Sequence, residues 1–117
     1  MNIVKYVIDI ENDENDEFES KADNVGVLQV FDNVGNDITK QSKVSLFLSE
    51  NALLGLGTEL IRLANNYTEG RHHHIRPADK EMMVQTLGIF LTPDSSELIV
   101  GCSDEDVIDE YFKDKNN

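Results

Sequence analysis

The residues of this 117-residue chain whose type and spacing come nearest to chemistry are three consecutive histidines, His72-His73-His74. In an extended segment alternate side chains share a face, so His72 and His74 project together while His73 points away. Two imidazoles so placed can ligate one divalent metal, and Asp79 or Glu69 is within reach in sequence to complete an open zinc-type site. No helical H-E-x-x-H and no 2-His-1-carboxylate spacing accompanies them. The plainer reading is a strand carrying one buried and two exposed histidines. A pH-sensitive or partner-contacting face built on His72 and His74 is a further reading, since imidazole titrates near neutrality.

Other catalytic constellations have less behind them. There is no G-x-S-x-G elbow, no P-loop and no G-x-G-x-x-G; Gly55-Leu56-Gly57 falls inside a helical pattern without a phosphate-loop context. Cys102 precedes a capped helix start, where a thiolate gains from the dipole, yet it ends an apolar run beside several carboxylates that disfavour one. A buried, inert cysteine is expected. As the single cysteine it excludes an intramolecular disulfide framework and a cysteine-based zinc cluster. The expectation is a protein that is not an enzyme, with no catalytic residues, no cofactor and no resident metal.

Charge says more. With 23 Asp and Glu against 10 Lys and Arg, the formal net charge is −13. Nucleic-acid backbones and anionic membranes are recognised through Lys and Arg, so neither is an expected partner. A basic protein surface fits the sign. The excess is uneven: residues 9–38 carry −9 and 81–117 carry −7, whereas 39–80 carry +2. Asp9, Glu11, Asp13, Glu14, Asp16, Glu17, Glu19 and Asp23 crowd one stretch, relieved only by Lys21. Its centre, 12–17, has no apolar residue and reads as a solvated loop, either a solubilising connection or an acidic docking surface. On the docking reading, Glu11, Asp13, Glu14, Asp16, Glu17 and Glu19 meet the partner and Phe18 is the apolar anchor among them.

These residues need elements to position them. Residues 2–10, rich in β-branched and aromatic types, and the apolar runs 25–31, 43–48, 86–92 and 97–102 read as strands, with a short further one near Ile38. Residues 71–76 read as a short strand ended by Pro77, since the residue before a proline is biased to extended geometry. Residues 33–37 and Pro93-Asp94-Ser95-Ser96 are turns, the latter closing a hairpin between the last two strands. Ser49 is an N-cap for a helix from Glu50 to Tyr67, whose Leu53, Leu56, Gly57, Leu60, Leu63, Ala64 and Tyr67 form one apolar stripe. Gly55 and Gly57 each cost such a helix about 1 kcal/mol, a cost offset if it lies close against a sheet. Gly70 marks its stop. Ser103 and Asp106 form a capping pattern for a last helix, with Val107, Ile108, Tyr111 and Phe112 on its apolar side. The expected fold is α+β: an antiparallel sheet of about five to six strands, one long amphipathic helix packed on a face, and a short C-terminal helix, in a single domain over 1–117.

The stretch from Val44 to Gly101 resembles the immunity protein 32 family of bacterial polymorphic-toxin systems. The resemblance lies in Leu48-Ser49-Glu50-Asn51-Ala52-Leu53 opening the helix, Leu56-Gly57-Thr58-Glu59-Leu60-Ile61-Arg62-Leu63-Ala64 continuing it, the strand His72-His73-His74-Ile75, and the strand Ser96-Glu97-Leu98-Ile99-Val100. It covers about half the chain and implies a small cytoplasmic protein that binds and neutralises a cognate toxin domain. Charge points to a basic, nuclease-like toxin. Two further readings stand beside it: a small metal-binding protein or metal-dependent enzyme using the His72/His74 strand, and an acidic nucleic-acid mimic. No stretch approaches the roughly 20 apolar residues of a membrane span, and the N-terminus lacks a secretory core, so a cytoplasmic location is expected.

Overall fold

The computed structural model describes residues 3–8, 10, 23–78 and 88–114. Along them run a 3-10 turn (Thr39–Gln41), helix α1 (Glu50–Asn65), strand β1 (His72–Ile75), strand β2 (Leu98–Gly101) and helix α2 (Glu105–Asp114).

Helix α1 begins where its cap dictates. Ser49 is extended, and its Oγ accepts the Ala52 N–H at 3.3 Å, satisfying one of the free donors of the first turn. At the other end Asn66 closes the helix by donating both its backbone N–H and its Nδ2 to the Arg62 carbonyl, each at 3.0 Å. The helix therefore stops two residues short of the expected Tyr67. Gly70 then takes a φ of 84°, which glycine adopts without steric cost. Its N–H donates to the Cys102 carbonyl, and the Cys102 N–H donates to the Arg71 carbonyl. Those two bonds lead into the antiparallel pairing of β1 with β2, from His72 opposite Gly101 to Ile75 opposite Leu98.

This ribbon has two unlike faces. His73, Ile75, Leu98 and Val100 are half-buried or buried; His72, His74, Ile99 and Gly101 are exposed. Ile75, 1% exposed, is the most enclosed large side chain, and Leu63, Ala78, Ile89 and Ile108 are the other buried apolar residues. Among the described residues the core is thus small, with one buried side chain each from α1, β1 and α2.

The expected sheet of five to six strands does not form: among the described residues the sheet has two. Local bonds take the place of ladder bonds. The Val30 N–H is held by Thr39 Oγ1 at 2.9 Å and the Val30 carbonyl by the Ile38 N–H, so 25–31 closes on its own following turn with a lone bridge between Phe31 and Asp37. The strand near Ile38 is replaced by the 3-10 turn. Residues 3–8 form no strand; Tyr6 instead accepts a hydrogen bond from Asn65 Nδ2 at the end of α1. Residues 43–48 are a non-ladder lead into α1. On the far side of β1, Pro77 has no N–H to extend a ladder, and its pairing with Leu91 is a single bridge. The turn at Pro93–Ser95 is present, with the Ser95 N–H on the Thr92 carbonyl, but β2 pairs across to β1 and not back onto 88–92.

Nor does α1 pack on a sheet face. Strands of four residues span about 13 Å, whereas a 16-residue helix spans about 24 Å. The ribbon's single apolar face is too small to cover it. Leu63 is the buried residue of α1, while Leu53 and Leu54 are 59% and 65% exposed. A Cβ built at Gly55 or Gly57 meets nothing within 4 Å, so close sheet packing does not account for these glycines. The cap of α2 also moves by one residue. Asp104, not Ser103, accepts the Asp106 N–H at 2.8 Å, and its carboxylate additionally favours the positive end of the helix dipole. No helix among the described residues is long and apolar enough to cross a membrane.

Candidate functional site

The outer face of the β1–β2 ribbon gathers the chemistry-bearing side chains. Strand alternation brings His72 and His74 to the same side, as the spacing requires, with ring centroids 4.9 Å apart and ring planes inclined at 64°. Each ring is fixed through its Nδ1. His72 Nδ1–H donates to the Gly70 carbonyl at 2.7 Å, and His74 Nδ1–H donates to Glu97 Oε1. A carbonyl and a carboxylate only accept, so Nδ1 carries a proton in both rings, and in the neutral form of each ring the lone pair is on Nε2.

Glu97 is the residue that sequence reasoning missed. It shares the face of Ile99 and lies diagonally across from His74, the second-nearest arrangement available between paired strands. The signal was present only conditionally: with the register of Ile99 opposite His74 known, Glu97 follows. Its carboxyl is held below the usual carboxylate range chiefly by the hydrogen bond from His74, which outweighs an opposing desolvation, with smaller contributions from the positive charges of protonated His74 and of Arg76. Gly101 is the second omission. A Cβ there would lie 2.6 Å from His72 Cβ and 2.9 Å from the Arg71 carbonyl oxygen, so only glycine admits this approach of the strands.

A second assembly sits at the start of α2. Glu105 is pushed up, chiefly by desolvation and then by the negative charges of Asp23, Asp106, Asp109 and Asp104. Val107, Tyr111 and Phe112 are exposed on the same helix, and the last two line a cleft of about 610 Å³ with Val27, Leu28 and Ile38. Tyr67 lies nearby, its phenol raised by desolvation and by the ionised forms of Asp104, Cys102 and Glu69.

Of the expected site residues, His72 and His74 are brought together. Glu11, Asp13, Glu14, Asp16, Glu17, Phe18 and Glu19 lie outside the described residues, as does Asp79. No group of three or more His, Cys, Asp or Glu side chains among the described residues is arranged around a common metal position. Cys102 is half-buried, its Sγ 3.9 Å from the Leu63 carbonyl oxygen, where it bridges the ribbon to α1. The chain matches no protein-family model, no curated protein and no solved structure.

Proposed function

We propose that this chain is a non-enzymatic immunity protein, of the kind the immunity protein 32 resemblance implies, that neutralises a cognate toxin by presenting an acidic surface to a basic, nuclease-like domain. The observation that carries this reading is the run of carboxylates Asp104, Glu105, Asp106 and Asp109 at the start of α2, on the same helix as exposed Val107 and Tyr111. Apolar anchors within a rim of one charge sign complement a basic protein face: the charge raises the association rate, and the anchors lower the dissociation rate. An inhibitory complex of standard size buries about 1,600 Å² in total. The net charge of −13 acts in the same direction over longer range.

The test begins by reading the neighbouring genes for a polymorphic-toxin domain and uses that domain as the partner. Purified toxin and full-length chain are expected to form a stoichiometric complex, and toxin activity falls in proportion to the chain added. Raising salt from about 50 to about 500 mM shortens the Debye length from about 14 to about 4 Å and is expected to slow association by about tenfold or more. Replacing Glu105, Asp106 and Asp109 by their amides reproduces that slowing at low salt. Absence of a complex overturns the reading; an association rate indifferent to salt and to the amides overturns its electrostatic part.

A further inference from the structure

The outer face of β1 supports an inference that does not depend on the toxin. We propose that His72 and His74 form a two-imidazole site for a divalent transition metal of the copper, nickel and zinc class, with Glu97 and the Gly70 carbonyl orienting the two ligands.

Three observations converge on it. The rings share one exposed face with centroids 4.9 Å apart, as close as two ligands of one ion must be. Both Nδ1–H groups are already committed, one to a backbone carbonyl and one to a carboxylate, which leaves both Nε2 lone pairs directed elsewhere. Metal-ligating histidines characteristically donate their other ring N–H to such acceptors, an arrangement that fixes the tautomer and raises the basicity of the ligating nitrogen. Finally, the register sets Gly101 opposite His72, so no side chain of β2 stands beside that ring, and a Cβ at 101 would collide with His72 itself.

The ligand type selects the ion. Imidazole nitrogens suit copper, nickel and zinc, with copper bound most tightly of the divalent series, whereas magnesium and calcium require oxygen ligands. Among the described residues no third His, Cys, Asp or Glu joins the pair. Glu97 Oε1 accepts from His74, and this bond gives Glu97 its orienting role.

The experiment uses full-length chain produced without a polyhistidine tag and stripped with chelator. Cu²⁺, Ni²⁺, Zn²⁺ and Mg²⁺ are titrated separately and followed by calorimetry and by imidazole nitrogen chemical shifts. Saturable 1:1 binding of Cu²⁺, weaker binding of Ni²⁺ and Zn²⁺, none of Mg²⁺, and, with diamagnetic Zn²⁺, ring-nitrogen shifts confined to His72 and His74 and largest at Nε2 support the site. His72→Ala or His74→Ala is expected to weaken Cu²⁺ at least about tenfold, and Glu97→Ala by about 10- to 100-fold. His73→Ala, on the opposite face, leaves affinity within about twofold while circular dichroism confirms folding in each variant. Binding that survives the double replacement of His72 and His74, or that falls equally with His73→Ala, overturns the proposal.

Discussion

Two glycines show how differently the same residue type is used. At Gly101 any side chain enters space occupied by His72 Cβ and the Arg71 carbonyl oxygen. Gly101→Ala is therefore expected to destabilise the protein by about 1–3 kcal/mol, the range of overpacked sites, because the strands must separate where pairing begins. At Gly55 the corresponding space is open and the backbone is helical. Gly55→Ala is expected to stabilise by about 1 kcal/mol through helix propensity and lost unfolded-state freedom. Urea unfolding of the two variants reads both signs. A destabilised Gly55→Ala protein would mean that something covers this face of α1 in the free molecule. Neither sign can be read from the sequence, where Gly55 and Gly101 each interrupt an apolar run.

At the scale of the element, the loop from Val30 to Thr39 is the most densely bonded non-helical segment described. Asp32 Oδ1 accepts the N–H groups of Val34 and Asn36 at 3.0 and 2.9 Å, and Asp32 Oδ2 accepts from Asn36 Nδ2. Asp37 Oδ1 likewise accepts from the backbone N–H and the hydroxyl of Thr39. Both carboxyls are consequently held below their ordinary value of 3.8, Asp32 mainly by the backbone and side chain of Asn36, and Asp37 mainly by the Thr39 hydroxyl. A carboxylate lowered in the folded state contributes stability in full above its unfolded pKa and loses it as pH falls through the folded one. The loop is thus expected to loosen below about pH 4. Amide exchange at Val34, Asn36 and Thr39 measures it: protection, corrected for intrinsic rates, falls with pH in the parent and loses that dependence at Val34 and Asn36 in Asp32→Asn. An unchanged profile in the variant would show that the carboxylate is not what holds the turn. The turn itself was legible because Asn33-Val34-Gly35-Asn36-Asp37 concentrates turn formers. That its bonds would draw residues 25–31 away from a sheet was not, since it depends on Thr39 reaching back nine residues to Val30.

At the scale of the molecule, much of the apolar content of the described residues is exposed. The Cα radius of gyration is 16.5 Å, against about 13 Å for a compact domain of this length. Large apolar side chains of α1, α2 and the segments preceding them stand exposed, Phe47 at 91% among them. Exposed apolar surface marks interaction faces where it is contiguous. Scattering from the isolated chain is expected to return a radius near 16–17 Å. An apolar-surface dye should bind the free chain strongly and be displaced when the proposed toxin partner is added at equimolar ratio. A radius near 13 Å with weak dye binding would show that the free chain closes over these residues.

The sequence alone determined what depends on neighbours within a few residues. Ser49 caps α1 because its hydroxyl needs only the next turn, His72 and His74 share a face because extended backbone alternates, and a net charge of −13 repels phosphate in any fold. Tertiary structure decided what depends on pairing at a distance. β2 chose β1 as its partner, and that one choice of register brought Glu97 to His74 across 23 residues, set Gly101 against His72 and left the other apolar runs without a ladder. The physical reason is that β-branched composition makes a segment able to pair but carries no information about its partner; register is decided by whichever backbone groups remain unsatisfied after local turns and caps have taken theirs.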